Sequence, residues 1–220
     1  MSIGPSGTCN PRPSRARSSK MSTYRFDLDW FSDHSHLWSE RLANHVGKPD
    51  LCFVEIGSFE GRSATWLLDN VLTAPSSTLH CIDPWAYPEE RFERHFDHNL
   101  ALATRRGGGR MIKHKALSEE VLPTLEAGSV DFVYVDGSHT AWDTLSDIVL
   151  SWRLLPVGGF MVCDDYPLET GIAFDQGEIS YPPVPPVERP KMAIDAFLQC
   201  FEGRYRLLHQ GWQIWLEKTA

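Results

Sequence analysis

Two rhythms alternate along this 220-residue chain. Short apolar runs rich in β-branched residues recur at 51–56 (LCFVEI), 78–82 (TLHCI), 110–114 (RMIKH), 131–136 (DFVYVD) and 158–163 (GGFMVC). Between them, 61–72, 89–104, 117–126 and 140–154 place apolar residues at helical spacing, as with Trp66, Leu67, Leu68, Val71 and Leu72. Strand alternating with helix predicts βαβ units and a parallel sheet covered on both faces. The pattern then breaks. Residues 166–190 are rich in proline and predict an irregular loop on the substrate side, or a lid. A helix follows at 191–202. Two alternating runs, RYRLLH and WQIWLE, turn at Gln210-Gly211 and predict an antiparallel hairpin closing one sheet edge. Upstream, 28–47 reads as a helix carrying Trp and Leu, whose aromatic side could serve a homodimer.

The fold class expected is therefore α/β: a Rossmann-like, doubly wound, mostly parallel seven-stranded sheet with a C-terminal antiparallel hairpin edge. One domain spans 23–220. Residues 1–22 read as a disordered basic extension, since 1–20 carry Arg12, Arg15, Arg17 and Lys20 and no acid. That is +4 out of a total of −8, leaving −12 for the rest. A sheet domain so acidic is a poor partner for nucleic acid. No apolar run reaches the ~20 residues that span a bilayer, so no membrane partner is expected. The cysteines show no CxxC spacing, and Cys52, Cys81 and Cys163 lie within or at the end of apolar runs. This points to a reducing, cytoplasmic compartment with no disulfide framework or zinc site.

Candidate chemistry gathers where the strands end, since open parallel sheets bind ligands at their carboxyl rim. The five ends read Glu55-Ile56-Gly57, Asp83-Pro84-Trp85, Lys115-Ala116-Leu117-Ser118, Asp136-Gly137-Ser138-His139 and Asp164-Asp165-Tyr166. The first turn lacks the third glycine of a dinucleotide fingerprint, and Glu55 repels a pyrophosphate. A ligand with a cationic centre and an amino-acid tail suits it better, with Asp83 placed for two ribose hydroxyls. S-adenosylmethionine meets these demands.

The chain resembles class I S-adenosylmethionine-dependent methyltransferases, and within them small-molecule O-methyltransferases of the catechol and macrolide-sugar type. The resemblance rests on EIGSFEGRS, IDPW, DFVYVDGSH and GGFMVCDDY, in register on successive strands. It implies that Glu55, Gly57, Ser58, Gly61 and Ser63 hold the methionine portion. It puts Asp83 on the ribose, Trp85 near the adenosine, Ala116, Leu117 and Ser118 near adenine, and Asp136 beneath the sulfonium. It also implies Asp136, Asp164 and Asp165 as ligands of Mg²⁺. His139 stands as a base, a fourth ligand or a helix cap, and Tyr166 as a substrate contact. Trp30, Trp38, Trp142 and Trp152 read as core, and His34, His36, His95, His98 and His209 as surface or packing residues. The acceptor expected is a small molecule bearing a hydroxyl. Two other readings stay open: a non-catalytic S-adenosylmethionine binder and a metal-dependent hydrolase.

Overall fold

The computed structural model describes residues 23–175 and 178–220. The basic extension expected at 1–22 lies outside the described residues. Seven strands form the main sheet: β1 (Cys52–Ile56), β2 (Thr78–Ile82), β3 (Arg110–His114), β4 (Phe132–Val135), β5 (Phe160–Cys163), β8 (Tyr205–Gln210) and β9 (Ile214–Lys218), in the order β3-β2-β1-β4-β5-β9-β8. The first five pair in parallel. β9 runs antiparallel to β5 and β8 antiparallel to β9. The Rossmann-like, mostly parallel sheet with a hairpin edge is as the pattern predicted.

Helices follow the predicted stretches within a few residues: α2 (Arg62–Asn70), α3 (Arg91–Arg106), α5 (Ala141–Leu154) and α6 (Pro190–Cys200). The stretch at 117–126 is shorter than expected, with α4 (Ser118–Val121) giving way to a 3-10 turn over Leu122–Thr124. Pro123 lies at the start of that turn, where its missing N–H costs nothing. The upstream helix is also short. Only α1 (Ser35–Arg41) is α-helical, preceded by a 3-10 turn over Ser32–His34 and, before that, by a segment without regular structure.

The central strands are buried on both faces. One core layer holds Trp38, Phe53, Leu67, Leu79, Phe132 and Trp215; the other holds Val54, Val133, Ile148, Met161, Ile194 and Phe197. Trp38 packs edge-on to Tyr134 at 4.8 Å and to Trp215 at 5.6 Å, joining α1 to the centre and edge of the sheet. Burial of such side chains contributes ~1.5–3 kcal/mol each, so this layer fixes the sheet against which the rim is built.

Residues 166–190 are not the irregular loop expected. They contain a two-stranded hairpin, β6 (Ala173–Asp175) with β7 (Glu178–Ser180), braced by a bridge between Thr170 and Pro183. No proline lies within the β6–β7 pairs, so none interrupts that ladder, and Pro183 enters only the isolated bridge.

The N-terminal segment is pinned from below. Glu60 is 1% exposed, and its carboxylate accepts the N–H groups of Asp27 (2.9 Å) and Leu28 (3.2 Å). His95 Nδ1 lies 2.7 Å from its other oxygen. Asn99 clasps Arg25 through both its N–H and C=O, and Arg62 Nε donates to Leu28 O at 3.0 Å. These bonds hold residues 25–31 across the rim. Asp27, Glu60 and His95 cluster closely enough for a cation, but the Glu60 oxygens are already taken by backbone donors.

Candidate functional site

Strand order reverses between β1 and β4, and the site opens at that switch point. Gly57, just after β1, takes φ +84°, and a Cβ there would lie 1.8 Å from Asp136 O. The glycine is therefore required by the approach of two strand ends, not only by a ligand. Gly61 (φ +79°) is likewise closed off by the Phe96 ring at 3.0 Å.

Three cavities meet along this rim. The first, about 360 Å³, is walled by Ile56, Gly57, Ile82 and Asp83, by Pro84, Ala86 and Tyr87, by Ala116, Leu117, Ser118 and Glu119, and by Gly137, Ser138, Asp143, Ser146 and Asp147. The second, about 570 Å³, is walled by Asp136, His139, Asp164 and Asp165 and roofed by Trp30, His34, Tyr181 and Trp212. A small third cavity of about 50 Å³ lies between them. It shares Gly57 with the first and Trp30 and Asp136 with the second, and it touches Ser58 and Ser63. One cleft thus runs from a slot of mixed polar and apolar lining to an acidic chamber.

In the slot, Asp83 is fixed by its surroundings. Its Oδ1 accepts Trp85 N–H at 2.6 Å, and its Oδ2 accepts Phe59 N–H at 2.9 Å and the Tyr87 hydroxyl at 3.2 Å. Burial raises its pKa, against these hydrogen bonds. Ala116, Leu117 and Ser118 lie in the wall. Trp85 does not. It is 6% exposed, packs on Phe96 at 4.7 Å and donates its indole N–H to Phe59 O at 2.7 Å. Its φ of +46° turns the side chain into the core, and Tyr87 stands in the wall instead. Asp147, which the sequence reading missed, faces the slot from α5. Burial pushes its pKa up to about 6, against a hydrogen bond from Ser118. Its signal was an acid one turn after Asp143 on an apolar helix.

Glu55 lies beneath the junction, fully buried. Ser63 donates to its Oε1 at 2.5 Å, while Oε2 has no hydrogen-bond partner. The Ser58 hydroxyl lies beside it, short of hydrogen-bond geometry. Burial pushes Glu55 up to about 7, against the Ser63 bond. Since the Ser63 proton is held by Glu55, Ser63 offers the cavity an acceptor oxygen. It is not the donor expected for a carboxylate.

The acidic chamber rearranges the expected ligand set. Donor atoms of Asp136, His139 and Asp165 lie within 4.8 Å of one another. Asp164 stands outside this set: its Oδ1 accepts Asp165 N–H at 2.8 Å, and its Oδ2 accepts the Tyr134 hydroxyl and Gln213 Nε2–H (2.9 Å). Asp165, at φ +57°, directs its carboxylate toward His139 Nε2 at 2.8 Å and Trp212 Nε1 at 3.1 Å. Burial lifts the pKa of Asp136 well above the carboxylate range, reinforced by the charges of Asp164 and Asp165. For His139, burial lowers the pKa, but the hydrogen bond and charge of Asp165, with the charge of Asp164, outweigh it, and the net shift is upward. Tyr134 contacts both Asp136 and Asp164, yet a phenol has one proton to donate. A proton or a cation must balance the second carboxylate. Two carboxylates and an imidazole fit a divalent cation.

Tyr166 is not in the chamber. Its hydroxyl donates to Asp195 at 2.8 Å and accepts from Lys191 at 2.6 Å, outside the rim. Trp212, in the turn after β8, takes the place expected for it. Two tryptophans read as core are exposed, Trp30 at 44% and Trp142 at 60%, whereas Trp38 and Trp152 are buried. His34, read as a surface or packing residue, lines the chamber. Among the described residues no helix is long and apolar enough to cross a membrane.

Several solved structures share this fold. A Corynebacterium glutamicum protein aligns with a TM-score of 0.57 at 22% identity, over 86% of this chain and 82% of that one. An rRNA methylase from Streptococcus thermophilus aligns at 0.54 and 14%, over 84% and 96%. The O-methyltransferase TomG from Streptomyces achromogenes, involved in tomaymycin synthesis and crystallised with SAM, aligns at 0.54 and 19%, over 84% and 78%. An uncharacterized protein of Acanthamoeba polyphaga mimivirus is 31% identical over 139 residues, 62% of this chain. The chain spans 60% of the length of that relative. Residues 54–166, which carry the carboxyl ends of the five parallel strands, match the profile described as a methyltransferase domain. The chain belongs to the methyltransferase-domain family.

Proposed function

We propose that the chain transfers a methyl group from S-adenosylmethionine to a hydroxyl oxygen of a small molecule, and that Asp136, His139 and Asp165 hold a divalent cation beside that oxygen. The observation that carries this reading is the continuity of the cleft, with the acid cluster at its joint. The slot suits adenosine: apolar Ile56, Ile82 and Leu117 flank the base, and Asp83 meets the ribose hydroxyls. The junction suits the methionine tail. Ser63 accepts from its ammonium, and Glu55 Oε2, without a hydrogen-bond partner among the described residues, lies buried beneath it.

The cofactor, when bound, supplies an electrophilic methyl on a sulfonium, so the chain's own task is positioning and deprotonation. A cation in the chamber would lower the pKa of the acceptor hydroxyl, replacing a strong base. Carboxylate ligands favour Mg²⁺ or Mn²⁺, and the imidazole shifts the balance toward Mn²⁺. With one ring nitrogen on the cation and the other carrying the N–H, His139 would have no lone pair free and is therefore suited to positioning rather than to acting as a base.

The chamber also speaks to the acceptor. Asp29, Asp33, Asp136, Asp164 and Asp165 line it, and among the described residues no Lys or Arg does. Phosphate-bearing nucleic acid is disfavoured there, while Trp30, Tyr181 and Trp212 offer ring surfaces to a small uncharged or cationic molecule. Cys52, Cys81, Cys163 and Cys200 are free thiols, in keeping with a cytoplasmic setting.

Calorimetric titration with S-adenosylmethionine and S-adenosylhomocysteine, with and without Mn²⁺ or Mg²⁺, tests the reading. Micromolar binding supports it. A chain that binds neither ligand is not a methyltransferase, and its acid cluster would then belong to a hydrolase.

A further inference from the structure

Phe59 has no role in the proposed chemistry, yet its backbone is held at φ +45° in the turn between Ser58 and Glu60. A bulky residue reaches that region only when its surroundings hold it there. Its ring meets Phe92 at 4.5 Å, Tyr87 at 5.2 Å and Phe174 at 6.1 Å. Phe174 in turn lies 5.3 Å from Tyr87 and 5.4 Å from Phe92. Four rings from four separate stretches of chain form one closed cluster. Phe174 belongs to β6, so the hairpin that rises after β5 crosses the rim and comes to rest on the turn after β1. Trp30 adds to this, stacking on Phe59 at 5.4 Å and 30°.

Both covers of the acidic chamber therefore meet at one side chain: Trp30 stacks on Phe59, and Phe174 reaches Phe59 while packing more closely on its neighbours Tyr87 and Phe92. The 166–190 hairpin region contributes Leu168, Thr170, Ile172 and Tyr181 to the chamber wall, and the N-terminal segment contributes Trp30. The backbone of the same residue reaches the other end of the cleft. Its N–H donates to Asp83 and its C=O accepts from Trp85. Tyr87, a member of the ring cluster, donates to Asp83 as well.

We infer that Phe59 is a positioning residue that latches the hairpin shut through Phe174 and couples that closure to cofactor retention through Asp83. The coupling rests on the cofactor reading above; the latch does not. Ligands exchange when Phe174 leaves the cluster, and the chamber is sealed when it returns.

The test uses the full chain with Phe174→Ala, and Phe174→Leu as a milder variant. In the ligand-free protein, hydrogen exchange of peptides from 168–184 should quicken at least tenfold for the alanine variant and less for leucine, with peptides from β1 and β4 unchanged. In stopped-flow tryptophan fluorescence, both association and dissociation of S-adenosylhomocysteine should quicken, dissociation by at least tenfold. Exchange within twofold of wild type at 168–184, or acceleration spread equally through the sheet, overturns the latch. Unchanged dissociation overturns the coupling. A wild-type chain that binds no S-adenosylhomocysteine overturns the coupling together with the methyltransferase reading, and the exchange result then decides the latch by itself.

Discussion

The two ends of the cleft are built by different means. Every residue walling the slot falls between Ile56 and Asp147, on strand ends, the loops after them and the first two turns of helices. The acidic chamber draws on Asp29 at one extreme and Trp212 at the other, on the N-terminal segment, a hairpin region and a turn. The slot is a consequence of the sheet, set by register and by backbone bonds to a buried Asp83. The chamber is assembled from covers whose positions depend on side chains such as Glu60, Arg62 and Phe59. The first arrangement follows from the fold, and the second from contacts added to it.

The sharpest way to break this comparison is to damage one end and read the other. Asp165→Asn should lower methyl transfer by roughly 10³-fold, within the span of lost acid–base or ligand groups. S-adenosylhomocysteine affinity should stay within threefold by calorimetry. A parallel loss of affinity would mean that the ends are not separable. Chelation by EDTA should mimic the variant, with Mn²⁺ restoring activity.

A second effect belongs to the junction. Glu55 is raised from an unfolded value near 4.5 to about 7. Its contribution to stability is fully present below pH ~4.5 and is lost as pH rises through 7, because the unfolded chain ionises first. Glu55→Gln should remove on the order of 3 kcal/mol of that decline between pH 4.5 and 8. Urea denaturation at the two pH values checks it, and identical slopes for both proteins would disprove the assignment.

Third, Asp83→Asn should weaken S-adenosylhomocysteine by roughly 10–150-fold, as charged acceptors to hydroxyls contribute about 1.5–3 kcal/mol. Turnover at saturating cofactor should change little. The mildest substitution is Trp212→Phe, which keeps the ring but loses the N–H to Asp165. It should raise the acceptor KM by about threefold and leave cofactor binding untouched.

Legibility in the sequence follows the same division. The five parallel strands and the edge hairpin were readable because burial on both faces leaves continuous apolar runs. The acids at their ends were readable because a carboxylate closing such a run has few structural reasons to be there. Local backbone geometry was not. A φ of +46° sends Trp85 inward, and a φ of +57° directs Asp165 toward His139, while Asp164 bonds to Gln213. These choices depend on partners distant along the chain. Trp30 and Trp38, eight positions apart, look alike in composition, yet one roofs the chamber and the other is the centre of a core layer. The hairpin at 173–180 was hidden by the prolines around it.

The wide sequence span of the chamber has a consequence for biosynthesis. As the chain leaves the ribosome, the slot can form once Asp147 has emerged and the central strands have paired. The chamber must wait for Trp212, and for Gln213 to bond both Trp38 and Asp164. A nascent chain would thus complete the slot before it has a chamber beside it.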